Sequence, residues 1–183
     1  QETQYNGLAQ VAGIDQKTAR NYVEILKETF IITVHPPWFT NRNKELVKMP
    51  KIYFLDNGVR NYFINNFNPV DVRKDAVFLF EGFVISELIK AGASMETLKF
   101  WRTKQKQEVD LLLEEGGEIK PVEIKWKKQL KPSDFRGLEQ FKTAYPDCGE
   151  RYIVNLGSNR TGGNGIRRLS PFEINRLIQP ISD

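Results

Sequence analysis

The chain has 183 residues, 40% hydrophobic and 27% charged, with a formal net charge of +4, a composition that supports one domain with a sizeable core or two small ones. No apolar run approaches the ~18 residues a membrane span needs and no basic-then-apolar leader opens the sequence, so a soluble, cytoplasmic protein is expected. Cys148 stands alone and so has no internal disulfide partner, and with His35 the single histidine a Cys/His zinc centre is excluded as well.

The first residues lack an initiator Met and pass at once into a helical pattern, as expected of a C-terminal piece of something longer. Residues 8–12 read as a helical turn, Gly13-Ile14 as a tight break, and Asp15 as the N-cap of a helix running to about Glu28 with Ala19, Val23 and Leu26 on its inner stripe. Residues 30–34 read as a strand, 41–44 as a polar loop and 51–55 as a returning strand. Two helices and a hairpin in this order predict a winged helix-turn-helix over residues 1–68. Gln16, Lys17, Arg20 and Asn21 then lie where a recognition helix offers groups to a major groove, with Arg42 and Lys44 on the wing. A structural joint or protein-docking unit is the competing reading of the same segment. Asp56-Asn57-Gly58 is expected to turn out of the hairpin into a short helix over 59–67.

The cluster Asn65-Asn66-Phe67-Asn68-Pro69 is the best linker, and residues 69–183 change character. An apolar helix over 76–91 ends at Gly92, strands follow at 98–102, around Asp110 and around Glu123, Ser133 caps a helix to about Tyr145, and 151–156 form a last core strand. Residues 161–165 read as a flexible loop and 174–178 as a terminal helical turn. The order predicts an α/β (α+β) domain. Trp101, Trp126 and Tyr152 fall in strand patterns as core, Trp38 beside Pro36-Pro37 reads as a surface contact or a staple of the hairpin, and His35 as structural. No G-x-x-x-x-G-K-[ST] loop occurs, so no nucleotide is expected to bind by that route.

Two strands carry the chemistry. Together they spell D-x(12)-E-x-K through Asp110, Glu123 and Lys125. Alternation places Glu123 and Lys125 on one strand face against Val122, Ile124 and Trp126 on the other, and Asp110 opposite Val109, Leu111 and Leu113. A hairpin through residues 114–118 would bring Asp110 and Glu123 close enough to grip one cation, with Lys125 beside it. With sulfur and imidazole excluded, oxygen ligands point to Mg²⁺ or Mn²⁺. On the 76–91 helix, Glu81 falls inside the apolar arc between Ile85 and Leu88, with Gly82, Ser86, Glu87 and Lys90 on the polar side, and a carboxylate placed there either has a cation partner or reaches the edge of the core. Lys127, Lys128, Lys131 and Arg136 follow the E-x-K motif, where they could hold a phosphate backbone or simply face water. Gln140 is a minor candidate as a polar helper.

Glu81 in Phe80-Glu81-Gly82, Asp110 in Glu108-Val109-Asp110, and Glu123-Ile124-Lys125 resemble the PD-(D/E)XK nuclease superfamily, the restriction-endonuclease-like fold with a central mixed sheet. With Trp101-Arg102-Thr103 and the preceding winged-helix segment, nearly the whole chain is similar to the C-terminal region, usually labelled as of unknown function, of a family of bacterial and archaeal P-loop (AAA-type) ATPases. The acid of the first motif strand follows Glu-Val rather than Pro, a departure from the family pattern. The resemblance implies Mg²⁺ or Mn²⁺ held by Asp110, Glu123, Glu81 and the carbonyl of Ile124, with Lys125 easing hydroxide formation, in an endodeoxyribonuclease acting on DNA and tied to an N-terminal ATPase domain. The alternative it leaves open is an inactive DNA- or protein-binding module that regulates that ATPase.

Overall fold

A computed structural model describes residues 5–38, 49–157, 161–162 and 165–178. Helices α1 (Asn6–Ala12) and α2 (Gln16–Glu28) are separated by Gly13, whose φ of 66° caps α1 in the left-handed region. Asp15 then accepts the Thr18 N–H at 3.0 Å and starts α2. Ala9, Ala19 and Val23 form a small core with Ile32, Leu26 packing at its edge. Strand β1 (Ile32–His35) begins two residues later than expected. Phe30 is the reason: it sits at φ 57°, and the Ile31 N–H reaches back to the Leu26 carbonyl at 2.9 Å. These features place Phe30 at the left-handed position that closes α2. The polar loop expected at 41–44, with Arg42 and Lys44, lies outside the described residues. Strand β2 (Lys51–Phe54) returns antiparallel, Ile32 opposite Phe54 and His35 opposite Lys51. Asp56, expected in a turn, instead caps helix α3 (Asn57–Phe63) by accepting the Gly58 and Val59 N–H groups.

The linker expected at 65–69 leads into a segment pinned by Arg73, which is 7% exposed and bonds the Asn66 carbonyl at 2.7 Å and the Asp75 carboxylate. Helix α4 (Ala76–Lys90) follows. Its expected polar side is solvated only toward the C-terminal end: Lys90 is exposed and pairs with Glu87 at 2.6 Å, whereas Gly82 and Ser86 are buried with Leu79, Phe80, Val84, Ile85 and Leu88. The cause is that the buried part of α4 is covered from several directions, by β2, α3, the strand Glu118–Lys125 and the C-terminal 3-10 segment Pro171–Leu177.

Strands β3 (Leu98–Arg102), β4 (Glu108–Glu115), β5 (Glu118–Lys125), β6 (Arg151–Asn155), β7 (Thr161–Gly162) and β8 (Ile166–Leu169) form one mixed sheet in the order β3-β4-β5-β6-β8-β7. The first three are an antiparallel meander, and β6 and β8 run parallel to β5. Gly116 and Gly117, both at positive φ, make the two-residue turn between β4 and β5. Strands β7 and β8 were not among the expected elements, and residues 163–164 of the expected loop lie outside the described residues. Helix α5 (Arg136–Ala144) starts after a 3-10 turn, Pro132–Phe135, so Ser133 is not its cap. Asp134 closes that turn by accepting the Lys131 N–H at 2.7 Å.

Helix α4 packs on one sheet face over Leu111, Leu113, Val122, Ile124, Tyr152 and Val154. On the other, Leu138 and Phe141 of α5 meet Val109, Leu112, Ile153 and Ile166. Val109 therefore lies on the face opposite Leu111, not beside it as strict alternation predicts. A β-bulge explains the flip: Lys99 pairs with Leu112 and Trp101 with Val109, so Phe100 alone faces both Asp110 and Leu111. The hairpin β1–β2 joins both cores, Tyr53 entering the α4 side and Trp38 the α5 side.

Candidate functional site

The β4–β5 register sets Asp110 across from Glu123, one step beyond the Leu111–Val122 pair. Both carboxylates are nearly sealed, at 8% and 4% exposure. With Lys125 they line a cleft of about 280 Å³ whose other wall comes from α5, through Arg136, Gly137 and Gln140. The Lys125 ammonium lies 3.1 Å from Asp110 Oδ2 and bonds Glu123 Oε2, and the Ile124 N–H donates to the same Asp110 oxygen at 2.9 Å. Lys51 of β2 stands 2.8 Å from Glu108 Oε1 and 3.8 Å from Asp110 Oδ1. Arg102 holds Glu108 by donating from the Nε/Nη2 edge of its guanidinium to both carboxylate oxygens at 2.6 to 2.9 Å. The groups thus alternate in sign from Lys125 through Asp110, Lys51 and Glu108 to Arg102, with Glu123 beyond Lys125.

Burial and proximity set the proton balance. Desolvation, with the neighbouring Asp110 charge, pushes the Glu123 carboxyl up to about 9, so it keeps a proton at neutral pH. Burial alone would raise Asp110 as well, but the Lys125 and Lys51 ammoniums and the Ile124 N–H bring it below the ordinary carboxylate value. Burial works against the Lys125 ammonium, yet Asp110 and Glu123 hold it above its usual range. Glu81 stands on α4, half-buried, and accepts the Tyr53 hydroxyl at 2.9 Å. Its carboxyl is raised by burial and by Asp110.

The donor set fits a hard divalent cation at Asp110 and Glu123. Two carboxylates line one cleft, one of them retains a proton that a cation would displace, and their oxygens are ligands of the hard kind. Glu81 is tied to Tyr53 and does not line the cleft. Among the described residues no group of three or more His, Cys, Asp or Glu is arranged to hold a metal.

Three positions escaped sequence reasoning. Lys51 arrives from a strand nearly sixty residues upstream of the motif, and Glu108 carries no signal in the sequence beyond flanking Asp110. Gly137 matters by lacking a side chain: a Cβ there would lie 2.1 Å from Glu123 Oε1 and 2.2 Å from the Glu108 carbonyl oxygen. Only glycine lets α5 close over the acid pair. Pro132 to Arg136 offered a helix start but no hint of that contact.

The basic candidates fall in separate places. Lys17, Arg20 and Asn21 are exposed on α2 and Gln16 is half-buried. Lys128, Lys131 and Arg136 are exposed, whereas Lys127 pairs with Asp134 at 2.7 Å. Arg136 and Gln140 continue from the cleft into a depression of about 460 Å³ along α5, shared with Gln107 and Thr143.

Residues 78–174, just over half of the chain, match the family described as "Domain of unknown function (DUF4143)". The chain belongs to the DUF4143 family. Residues 1–70 match a second family, described as "Domain of unknown function (DUF8612)". A protein of Mycobacterium tuberculosis and one of Mycobacterium bovis, both called uncharacterized, are each 30% identical over 133 residues, 72% of this chain and 30% of their own length. The matched stretch thus spans under a third of those relatives. No solved structure matches the chain significantly. The DUF4143 match contains Glu81, Asp110, Glu123 and Lys125, and Lys51 lies in the DUF8612 match. No helix among the described residues is long and apolar enough to cross a membrane.

Proposed function

We propose that this DUF4143 chain is the nuclease-like, DNA-binding part of a longer ATPase-linked protein, hydrolysing phosphodiester bonds with Mg²⁺ or Mn²⁺. The observation that carries this reading is the buried Asp110–Glu123 pair with the Lys125 ammonium between them, opening into a cleft beside α5. The mixed sheet with a helix on each face, and the E-x-K motif on a strand central to it, support a restriction-endonuclease-like fold. The two short helices followed by an antiparallel hairpin support a winged helix before it.

Asp110 and Glu123 would hold the cation, with the Ile124 carbonyl as the further oxygen the resemblance implies. When bound, the cation supplies charge to the scissile phosphate and acidifies a water. The protein's own groups do the rest. Lys125, kept protonated by its two carboxylates, offers positive charge to a phosphate entering the cleft. Glu123 yields its proton as the site fills. The depression along α5, with Arg136 at its mouth, gives a nucleic-acid strand a path away from the acids. Exposed Lys17, Arg20 and Asn21 present donors to a duplex from α2, and the expected wing residues Arg42 and Lys44 complete that surface in this reading.

Purified protein incubated with plasmid DNA and Mn²⁺ is expected to nick or cut it. The isosteric Asp110→Asn and Glu123→Gln variants should lose at least ~100-fold in rate while binding DNA unchanged. Equal cutting by wild type and variants would assign the activity to a contaminant.

A second reading has one specific observation in its favour. Asp110 Oδ2 is taken by Lys125 and Oδ1 faces Lys51, a self-neutralised network suited to an inactive DNA- or protein-binding module that regulates an ATPase domain. In that case DNA binding persists in EDTA and no variant of the acids alters it.

A further inference from the structure

Lys51 reaches the acid cluster from outside the strands that build it. Its side chain is 16% exposed, with the ammonium 2.8 Å from Glu108 Oε1 and 3.8 Å from Asp110 Oδ1, and it stands 5.4 Å above the ring of the fully buried Phe100. The strand that carries it is firmly seated. The Trp38 N–H bonds the Phe100 carbonyl at 2.7 Å, the Trp38 ring meets Phe141 and Tyr145, and Tyr53, two residues from Lys51, holds Glu81. Lys125 serves one oxygen of Asp110 and Lys51 faces the other.

We infer that Lys51 is a resident counter-ion of the acid pair, which a divalent cation must displace or outweigh, so that the seating of the β1–β2 hairpin sets the cation affinity of the site. This rests on the reading of Asp110 and Glu123 as a cation site. A fixed positive charge about 4 Å from a ligand oxygen opposes a second cation there, and burial limits the screening. Because the hairpin lies in the segment preceding the DUF4143 match, the affinity of the site becomes a property of both matched regions. Any partner that shifts the hairpin would shift that affinity with it. Removing Lys51 leaves no acid stranded, since Glu108 keeps Arg102 and Asp110 keeps Lys125 and the Ile124 N–H.

The test is a Mn²⁺ titration of the full chain, read from the electron paramagnetic resonance signal of free Mn²⁺, for wild type, Lys51→Met, Lys51→Gln, Lys51→Arg and Lys51→Met/Asp110→Asn. Lys51→Met and Lys51→Gln should bind Mn²⁺ about tenfold tighter or more. Lys51→Arg should stay within about threefold of wild type, and the double variant should lose the gain. Thermal melts identify any variant that has unfolded, and Lys51→Gln, which keeps polarity and loses only charge, serves where Lys51→Met fails. Mn²⁺ binding by the Lys51 variants alone would support the inference in its strongest form. Unchanged or weaker binding by folded Lys51→Met and Lys51→Gln, against a wild type that binds, overturns the inference and leaves the cation site standing. No binding by wild type or by either variant overturns the cation site and the inference with it.

Discussion

Glu123 carries a pH signature that can be read without any metal. In the unfolded chain it ionises near 4.5, whereas in the folded protein burial and Asp110 hold its proton up to about 9. The native state therefore gains nothing from this group below pH 4.5, loses stability as pH rises between the two values, and bears the whole cost above about 9. Glu123→Gln removes the titration. Its melting temperature relative to wild type should climb from pH 5 to pH 9, and a flat difference would mean that the carboxyl ionises normally. Gly137→Ala makes the converse test of packing. Its methyl group would press on the Glu108 backbone oxygen as well as on Glu123, and a backbone atom has little room to yield. A loss of about 3 kcal/mol is expected, near 10 °C in melting temperature. Asp110, Glu123 and Lys125 were legible because strand alternation and a two-glycine turn are local facts. Lys51 and Gly137 were not, since each acts only through chain packed against it from elsewhere.

At the scale of elements, α2, α4 and the strands β2 to β6 could be read from capping residues and hydrophobic period. Helix termini were harder, and Phe30 shows why. An aromatic residue next to Ile31 and Ile32 signals a strand, but the backbone uses Phe30 at φ 57° to close α2. The ring is 65% exposed, so little packing opposes a change. Phe30→Gly should stabilise the protein by about 1 kcal/mol, measured by urea denaturation, because glycine meets that conformation without steric cost. A loss of stability would mean that the ring is worth more than its exposure suggests. Strand β8 was missed for a different reason. Its buried residues, Ile166 and Leu169, are three apart with Arg167 and Arg168 between them, so neither the strand nor the helix period is visible. The bulge at Asp110 and Leu111 likewise leaves no local mark, although it turns Val109 toward α5 and so places Glu108 beside Lys51.

For the whole molecule, the point of interest is that one charged network draws on both matched regions, β2 giving Lys51 and the sheet giving the acids. If the chain also binds DNA through α2, affinity should fall steeply with salt, and Lys17→Ala and Arg20→Ala should each reduce the slope of log affinity against log salt by about 1. Slopes unchanged in both would remove α2 from the contact surface. The order of the main helices and of strands β1 to β6, and the acid pair, were readable in advance because they follow from composition, period and spacing. The reach of the hairpin into both cores was not, because Tyr53 looks like an ordinary strand residue, and Trp38 like a surface contact or a staple, until the sheet they pack on is in place. The most direct test of the central claim is a crystal structure of the full chain soaked in Mn²⁺ with anomalous diffraction. A peak is expected about 2.0–2.6 Å from carboxylate oxygens of both Asp110 and Glu123, with the Lys125 ammonium moved off at least one of them. An empty difference map, with Lys125 still bridging the two acids, would contradict it.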